Sequence, residues 1–451
     1  MNKPLPDQFV SSLKQAFGPD GDHLIHALDT DPPVSIRVNP LKSNGWNLSD
    51  LASVPWSSSG YYLNDRPAFT LDPLFHAGGY YVQEASSMFL EHVLNQLKLE
   101  YACALDVCAA PGGKSTLLAS RLGDTSLLVC NEAIRSRCSM LMENLTKWGH
   151  GNTLVTHNDP ADFQQMPGFF DLVVVDAPCS GEGMFRKDPE ARAHWSPGHV
   201  AHCAMRQSRI LADVWPCLKE NGILIYSTCT FNDTENEQQL RTFRNGHLFE
   251  SVRIPTLPDW NILETHVDGI HGYRFFPGRV RGEGFFLSVL RKKEPSPAAT
   301  FERLSKKRNP VFASYSEKRM PWLTDAFACE WVTFRDQLLA IPSNWITEIE
   351  AMATRLTMLR VGTGLGAIKQ NKVAPSHDLA LSIHVAPDVP RIELDIHQAL
   401  LYLRRESIQT PEVAKGYYLV TFQQQPLGWI NHLGKRINNL YPSDWRIRLQ
   451  S

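Results

Sequence analysis

Between about residue 100 and residue 230 the chain alternates short apolar runs with segments of helical character. The apolar runs are Cys103–Val107, Ser126–Cys130, Asn152–Thr156, Leu172–Val175 and Ile223–Tyr226. Between them lie Lys114–Leu122, Ile134–Trp148 and roughly Pro197–Leu218, each long enough to cross back over a sheet. Strands alternating with helices of this size predict a mostly parallel, doubly wound α/β sheet. A run as apolar as Leu172–Val175 suits a strand covered on both faces. In such a sheet ligands sit beyond the carboxyl ends of the strands. The polar residues of this region fall there: Cys108 to Lys114, Glu132, Asp159, Asp176 with Cys179, and Thr228 with Cys229. One strand can end in a polar residue by chance. Five together predict a site.

Leu105–Thr116 reads LDVCAAPGGKST, a strand end, a Pro-Gly-Gly turn and a helix start. That layout turns bare backbone N–H groups toward a polar or anionic ligand. A nucleotide phosphate loop, G-x-x-x-x-G-K-[ST], needs a glycine five places before Gly113, and Cys108 stands there. The loop is expected to bind without Walker-type phosphate contacts, or to be a plain structural turn. Glu132 follows Gly113 by 19 positions. That is near the ~20-residue spacing at which an acid meets ribose hydroxyls, so a nucleoside-containing cofactor is indicated.

A length of 451 residues suggests about three domains. The 43% hydrophobic and 20% charged residues describe an ordinary globular chain. A formal net charge of −2 gives no overall signature of nucleic-acid binding, which depends instead on where the basic residues lie. No apolar run approaches the ~18 residues of a membrane span. The stretch MNKPLPDQFVSSLKQAFG lacks the apolar core of a signal peptide. Nine scattered cysteines are then expected to be reduced cytoplasmic thiols. No C-x-x-C pair occurs, so no structural metal site is expected.

Residues 1–100 form a leading region. Phe9, Val10, Leu13 and Phe17 share a face at helical spacing up to Gly18-Pro19. Ser35–Asn39 predicts a short strand turning at Pro40, with Arg37 at its surface. Ala77–Met88 is expected to be a loop leading into a helix. After Tyr226 come a polar helix from about Asp233 and two segments, Gly272–Phe276 and Gly284–Leu290, that suit a hairpin closing the sheet. From Tyr273 to Arg308 ten Lys and Arg stand against three Glu, a stretch that either touches phosphates or is a solvated linker. Beyond it a Leu-rich helix through Thr354–Arg360 is expected. Gly362–Gly366 is a weak dinucleotide-motif match expected to be a turn. Gly416–Phe422 and Gly428–Asn431, split by Gln-Gln-Gln-Pro, predict a small β-rich domain.

Cys179 and Cys229 follow two different strands, 50 positions apart. Cys103, Cys130 and Cys138 suit the ordinary role of cysteine as a small buried hydrophobe. Cys179 and Cys229 sit among polar and small residues and suit it poorly. An unperturbed thiol titrates near ~8.5, so a nucleophile needs a partner that favours the thiolate. Lys114, opening a helix at the same sheet edge, is the candidate. A redox pair is the alternative chemistry, though without C-x-x-C spacing.

Three of these segments together, Asp106–Lys114 (DVCAAPGGK), Asp176–Gly183 (DAPCSGEG) and Tyr226–Thr230 (YSTCT), resemble motifs of the RNA cytosine-C5 methyltransferases of the Nol1/Nop2/Sun family. Arg37–Leu41 (RVNPL) and Tyr81–Met88 (YVQEASSM) resemble that family's leading segments, so the likeness spans roughly residues 30 to 293. The C-terminal part, with its Gly362–Leu379 stretch, resembles the RsmF branch, which ends in a PUA-like domain. The resemblance implies an N-terminal RNA-recognition region (1–100) and a Rossmann-like S-adenosylmethionine methyltransferase core (101–293). A linker and intermediate region (294–375) and a PUA-like RNA-binding domain (376–451) would follow. Cys108, Ala109, Ala110, Pro111, Gly112, Gly113 and Lys114 would cradle S-adenosylmethionine, and Glu132 would take its ribose hydroxyls. Asp159 and Asp176 would lie near the adenine and the reacting methyl group. Cys229 would be the nucleophile, Cys179 the residue that helps release product, and Asp176 a hydrogen-bonding partner of the base. The implied substrate is a cytosine in the decoding region of 16S rRNA, within the 30S subunit, methylated by a cytoplasmic monomer. A tRNA substrate, or a non-catalytic ribosome-assembly factor, is the alternative.

Overall fold

The computed structural model describes residues 3–43, 46–99, 102–297, 311–315, 322–324, 326–369 and 372–449. The chain opens with helix Asp7–Phe17, which buries Phe9 and Leu13. Gly18, at φ 53°, ends it and starts a second helix, Pro19–Ala27. Strands β1 (Val34–Val38), β2 (Gly60–Leu63) and β3 (Tyr80–Val82) then form a small antiparallel sheet in the order β2-β1-β3. The expected loop at Ala77–Met88 is thus partly a strand, leading through a short turn of helix into helix Phe89–Leu97.

The core sheet is built on β4 (Cys103–Asp106), β5 (Leu127–Asn131), β6 (Thr153–Thr156), β7 (Phe170–Asp176) and β8 (Leu218–Thr228). These five are parallel, in the order β8-β7-β4-β5-β6. Helices Gly113–Leu122, Arg135–Trp148 and Pro197–Val214 return the chain between strands. Successive side chains point to opposite faces. Leu105, Val129, Val173, Val175 and Leu224 therefore join one apolar cluster, and Ala104, Leu128, Val174, Ile223 and Ile225 the other. Each fully buried aliphatic side chain contributes about 1.5–3 kcal/mol. Continuous apolar runs are what two covered faces require.

Short β9 (Phe249–Ser251) and antiparallel β10 (Leu263–Val267), β11 (Ile270–Phe275) and β12 (Phe285–Lys292) complete one side, with β12 against β8. The basic stretch that begins at Tyr273 is largely engaged there. Arg274 pairs with buried Glu237, Arg279 with Asp20 at 3.0 Å, and Lys293 with Glu250 at 3.0 Å. Lys292 donates to the carbonyls of Trp215 and Leu218, each at 2.9 Å. These cations hold the fold, so they are not free for phosphates. The rest of that stretch, 298–308, lies outside the described residues.

A third sheet holds β13 (Ala313–Ser314), β14 (Cys329–Phe334), β15 (Gln337–Pro342), β17 (Thr363–Lys369) and β18 (Lys372–Pro375), so residues 294–375 are more than a linker. The intervening β16 (Met358–Val361) leaves this sheet and pairs antiparallel with β6 at the edge of the core. The helix expected over Thr354–Arg360 is therefore wrong: the helix is Ile346–Ala353, and tertiary pairing makes the next segment a strand. Gly362–Gly366 is likewise not a turn throughout. Only Gly362, at φ 58°, bends the chain; Thr363 begins β17. The last sheet comprises β19 (Arg391–Glu393), β20 (Gly416–Phe422), β21 (Gln425–His432) and β22 (Ile437–Asn439), with helix Ile396–Arg404 packed on it. No helix among the described residues is long and apolar enough to cross a membrane.

Candidate active site at the switch point of the sheet

Beyond β4 the chain runs to β5 and β6, then returns across β4 to β7 and β8. The loops after β4 and β7 thus diverge, and a crevice opens between them. A cavity of about 440 Å³ lies there, a size suited to a small molecule. Its lining includes Asp106, Cys108–Pro111, Gly113, Lys114, Asp176 and Cys229.

The loop after β4 is held from behind. Ala109 N–H donates to Asn131 at 2.8 Å, Asn144 Nδ2 to Pro111 O at 2.8 Å, and Arg137 Nη2 to Ala110 O at 2.5 Å. Gly112 takes φ 113°, a conformation costly for any side chain, and lets helix Gly113–Leu122 begin at once. Lys114 then reaches Asp176 Oδ2 at 2.8 Å, while Ser227 donates to Asp176 Oδ1 at 2.8 Å. Burial alone would lower the Lys114 ammonium, but Asp176, Asp106 and the Cys229 sulfur together raise it, so it stays charged.

The loops after β7 and β8 bring Cys179 Sγ within 3.2 Å of Cys229 Sγ. The Cys229 N–H also points at Cys179 Sγ, at 3.4 Å. The hydrogen bond to Cys229 and burial both push the Cys179 thiol well above its ordinary range. Two buried carboxylates absent from the sequence reading stitch the loops together. Glu182 accepts the N–H groups of Phe231 and Asn232 at 2.8 and 3.0 Å. Glu235 accepts Ser180 N–H at 2.9 Å. The acids in GEG and TEN gave no signal, because isolated acids default to solvent.

Other residues fall less centrally. Glu132 is buried at the end of β5; Oε1 accepts Ile134 N–H at 2.8 Å and Oε2 lies 3.4 Å from Arg137. Asp159 is half-exposed after β6, caps a short helical turn at Ala161 N–H (3.1 Å) and pairs with Arg209 at 2.9 Å. Neither these two nor Gly112 lines the cavity. Asp106, fully buried, does; burial pushes its carboxyl up to about 7, against one hydrogen bond from Ser115.

Arg37 was expected at the surface and is not. It is 1% exposed. Its guanidinium donates to Gln83 Oε1 and Thr116 Oγ1, both at 2.6 Å, and to Gly113 O at 3.2 Å, and lies 4.4 Å from the Trp148 ring. It ties the small N-terminal sheet to the helix that follows the β4 loop. Tyr81, Gln83 and Glu84, from β3 and its following loop, also line the cavity.

The donor set suits S-adenosylmethionine. On the cavity wall, buried Asp106 Oδ1 has no hydrogen-bond partner among the described residues, and such an oxygen accepts ribose or ammonium protons. The loop carries no cation cluster for a triphosphate. No group of His, Cys, Asp and Glu suited to a metal ion occurs among the described residues.

The family model for "16S rRNA methyltransferase RsmB/F" matches residues 93–291. Those for the "N-terminal domain of 16S rRNA methyltransferase RsmF" and the "Methyltransferase RsmF PUA domain" match 5–85 and 389–447. "Ribosomal RNA small subunit methyltransferase F" of Salmonella heidelberg (strain SL476) is 30% identical over 472 residues, covering 97% of this chain and 96% of its own. The crystal structure of a methyltransferase homologue from Pyrococcus horikoshii has 26% identity and a TM-score of 0.54, over 64% of this chain and 95% of that one. NSun6 from Pyrococcus horikoshii, solved with SFG, shares the fold at 18% identity and a TM-score of 0.54, over 64% and 99% of the two chains.

Proposed function

The chain belongs to the RsmF family of 16S rRNA methyltransferases, and from that premise we propose that it methylates C5 of a cytosine in 16S rRNA through a covalent bond from Cys229 to C6. The observation that carries this reading is the 3.2 Å meeting of two thiols, one of which, Cys229, lines the cleft. Cytosine C5 is a poor nucleophile. Addition of the Cys229 thiolate at C6 makes C5 enamine-like, and the charged Lys114 ammonium interacts with that sulfur. When bound, S-adenosylmethionine supplies the electrophilic methyl group. Asp176, oriented by Ser227 and Lys114, hydrogen-bonds the base near N3 and favours the adduct. The C5 proton then passes to solvent as the C6–S bond breaks; the electron pair leaves on Cys229 as a thiolate, which the Cys179 S–H protonates. The target must leave its stack, at a cost of a few kcal/mol unless it already lies in a loop or bulge. We further propose that the enzyme is a cytoplasmic monomer that meets its cytosine in the decoding region of the 30S subunit.

The test is transfer of labelled methyl from S-adenosylmethionine to free 16S rRNA, 30S particles and tRNA, with the modified base mapped. Cys229→Ala is expected to abolish transfer, and Cys179→Ala to accumulate a protein–RNA adduct. Normal turnover by the Cys179 variant, with no adduct, would overturn the division of labour. Labelling of tRNA alone would replace the substrate.

A further inference from the structure

The pair of thiols is chemically symmetric; its surroundings are not. Glu235 is 0% exposed, and no ion pair to it is present among the described residues. Its Oε2 accepts Ser180 N–H at 2.9 Å and Gln207 Nε2 at 2.8 Å; its Oε1 accepts Ser180 Oγ and, at 2.8 Å, Asn232 Nδ2. Three N–H groups and a hydroxyl are the donor set of an ionised carboxylate. The network reaches both loops, through Ser180 beside Cys179 and through Thr230 beside Cys229, at 3.0 Å from Ser180 Oγ, and the Glu235 charge adds to the burial and hydrogen bond that hold the Cys179 thiol high. Lys114, with its positive charge, stands on the Cys229 side.

We propose that Glu235 is a positioning residue that keeps the proton of the thiol pair on Cys179 and so leaves Cys229 as the sulfur that attacks. The inference rests on the roles given to the two cysteines above. A buried negative charge disfavours a second one nearby, and low polarity strengthens the effect. When the pair loses one proton, it leaves the sulfur nearer Lys114. Cys179 keeps its S–H, directed at Cys229 across 3.2 Å, ready to protonate that sulfur when it departs. The other titratable groups facing the pair are Tyr226 on β8, which meets Cys179, Cys203 on helix Pro197–Val214, which meets Cys229 and is itself offset by Arg206, and Asp176, which shares the cavity wall with Cys229. Burial, with Glu235 adding to it, raises both Cys203 and Tyr226, so neither competes for the role of thiolate or base.

Iodoacetamide alkylation followed by peptide mapping tests this without RNA, because only the thiolate reacts. In the wild-type protein Cys229 is expected to react at least about tenfold faster than Cys179 at neutral pH, which corresponds to one pKa unit between them. Glu235→Gln should cut that ratio about tenfold and move Cys179 alkylation to lower pH, and Glu235→Asp should restore it. A folded Glu235→Gln protein with the wild-type ratio and pH profile would overturn the inference. So would wild-type protein in which Cys179 reacts first, which decides the matter even if the Gln variant does not fold. If the ratio follows the charge but Cys179→Ala traps no adduct, the catalytic reading fails and the charge device stands.

Discussion

Gly183 donates its N–H to the carbonyl of Cys229 at 2.8 Å, and a β-carbon at residue 183 would lie 2.9 Å from that same oxygen. The loop after β7 therefore touches the backbone of the second cysteine directly. The carbonyl of Gly284 would be closer still, at 2.6 Å. Both neighbours are backbone and cannot swing away. Gly183→Ala should displace Cys229 and lower kcat about a hundredfold, the scale of a 1 Å misplacement. Methyl incorporation at saturating RNA and donor reads it, with donor affinity expected near wild type.

Arg37 joins two domains through partners that water cannot replace. Arg37→Leu leaves buried Gln83 Oε1 without its donor and removes the Thr116 and Gly113 contacts, an expected loss of about 3 kcal/mol in urea unfolding. Burial lowers the Arg37 guanidinium to about 9, still charged at neutral pH. Lysine has no fork to reach Gln83 and Thr116 together, so Arg37→Lys should recover only part of the loss.

Lys42 Nζ is buried and donates to the carbonyls of Ala77, Lys147 and Leu381 at 3.0, 2.6 and 2.7 Å. It thereby links the N-terminal sheet, the core and the C-terminal part. Burial lowers it from 10.5 to about 7. Between those values the unfolded chain binds the extra proton, so folding gains stability as pH rises from about 7 toward 10.5. Wild-type stability relative to Lys42→Met should climb over that window. A difference that stays flat with pH would show that Lys42 titrates normally.

The closeness of Cys179 and Cys229 also makes them the pair an oxidant reaches first. Hydrogen peroxide would take two electrons from the two thiols, forming the disulfide and water. Activity should fall with the loss of one pair of titratable thiols and return with dithiothreitol. Cys203→Ser protein should behave as wild type.

The parallel core was legible because its signal is local. Continuous apolar runs such as Leu172–Val175 report a strand covered on both faces wherever they occur. Cys108–Lys114, Asp176, Cys179 and Cys229 were legible because they end such runs. Arg37 was not, since its partners Gln83 and Thr116 lie 46 and 79 positions away and a charged residue on a short strand defaults to solvent. Glu182 and Glu235 were hidden for the same reason. Thr354–Arg360 suggests a helix because its helical character is local, whereas the pairing of Met358–Val361 with β6 is not.

That distant strand sets an order of events during synthesis. Thr357 N–H meets the side chain of Asn158 across 199 positions, and β6 stays an uncovered edge until the intervening chain exists. At about 5–20 residues per second the wait is roughly ten to forty seconds. An edge of unpaired N–H and C=O groups recruits other chains. The nascent enzyme therefore passes through an aggregation-exposed stage on the ribosome, and a gene fragment cut after residue 293 would remain in it.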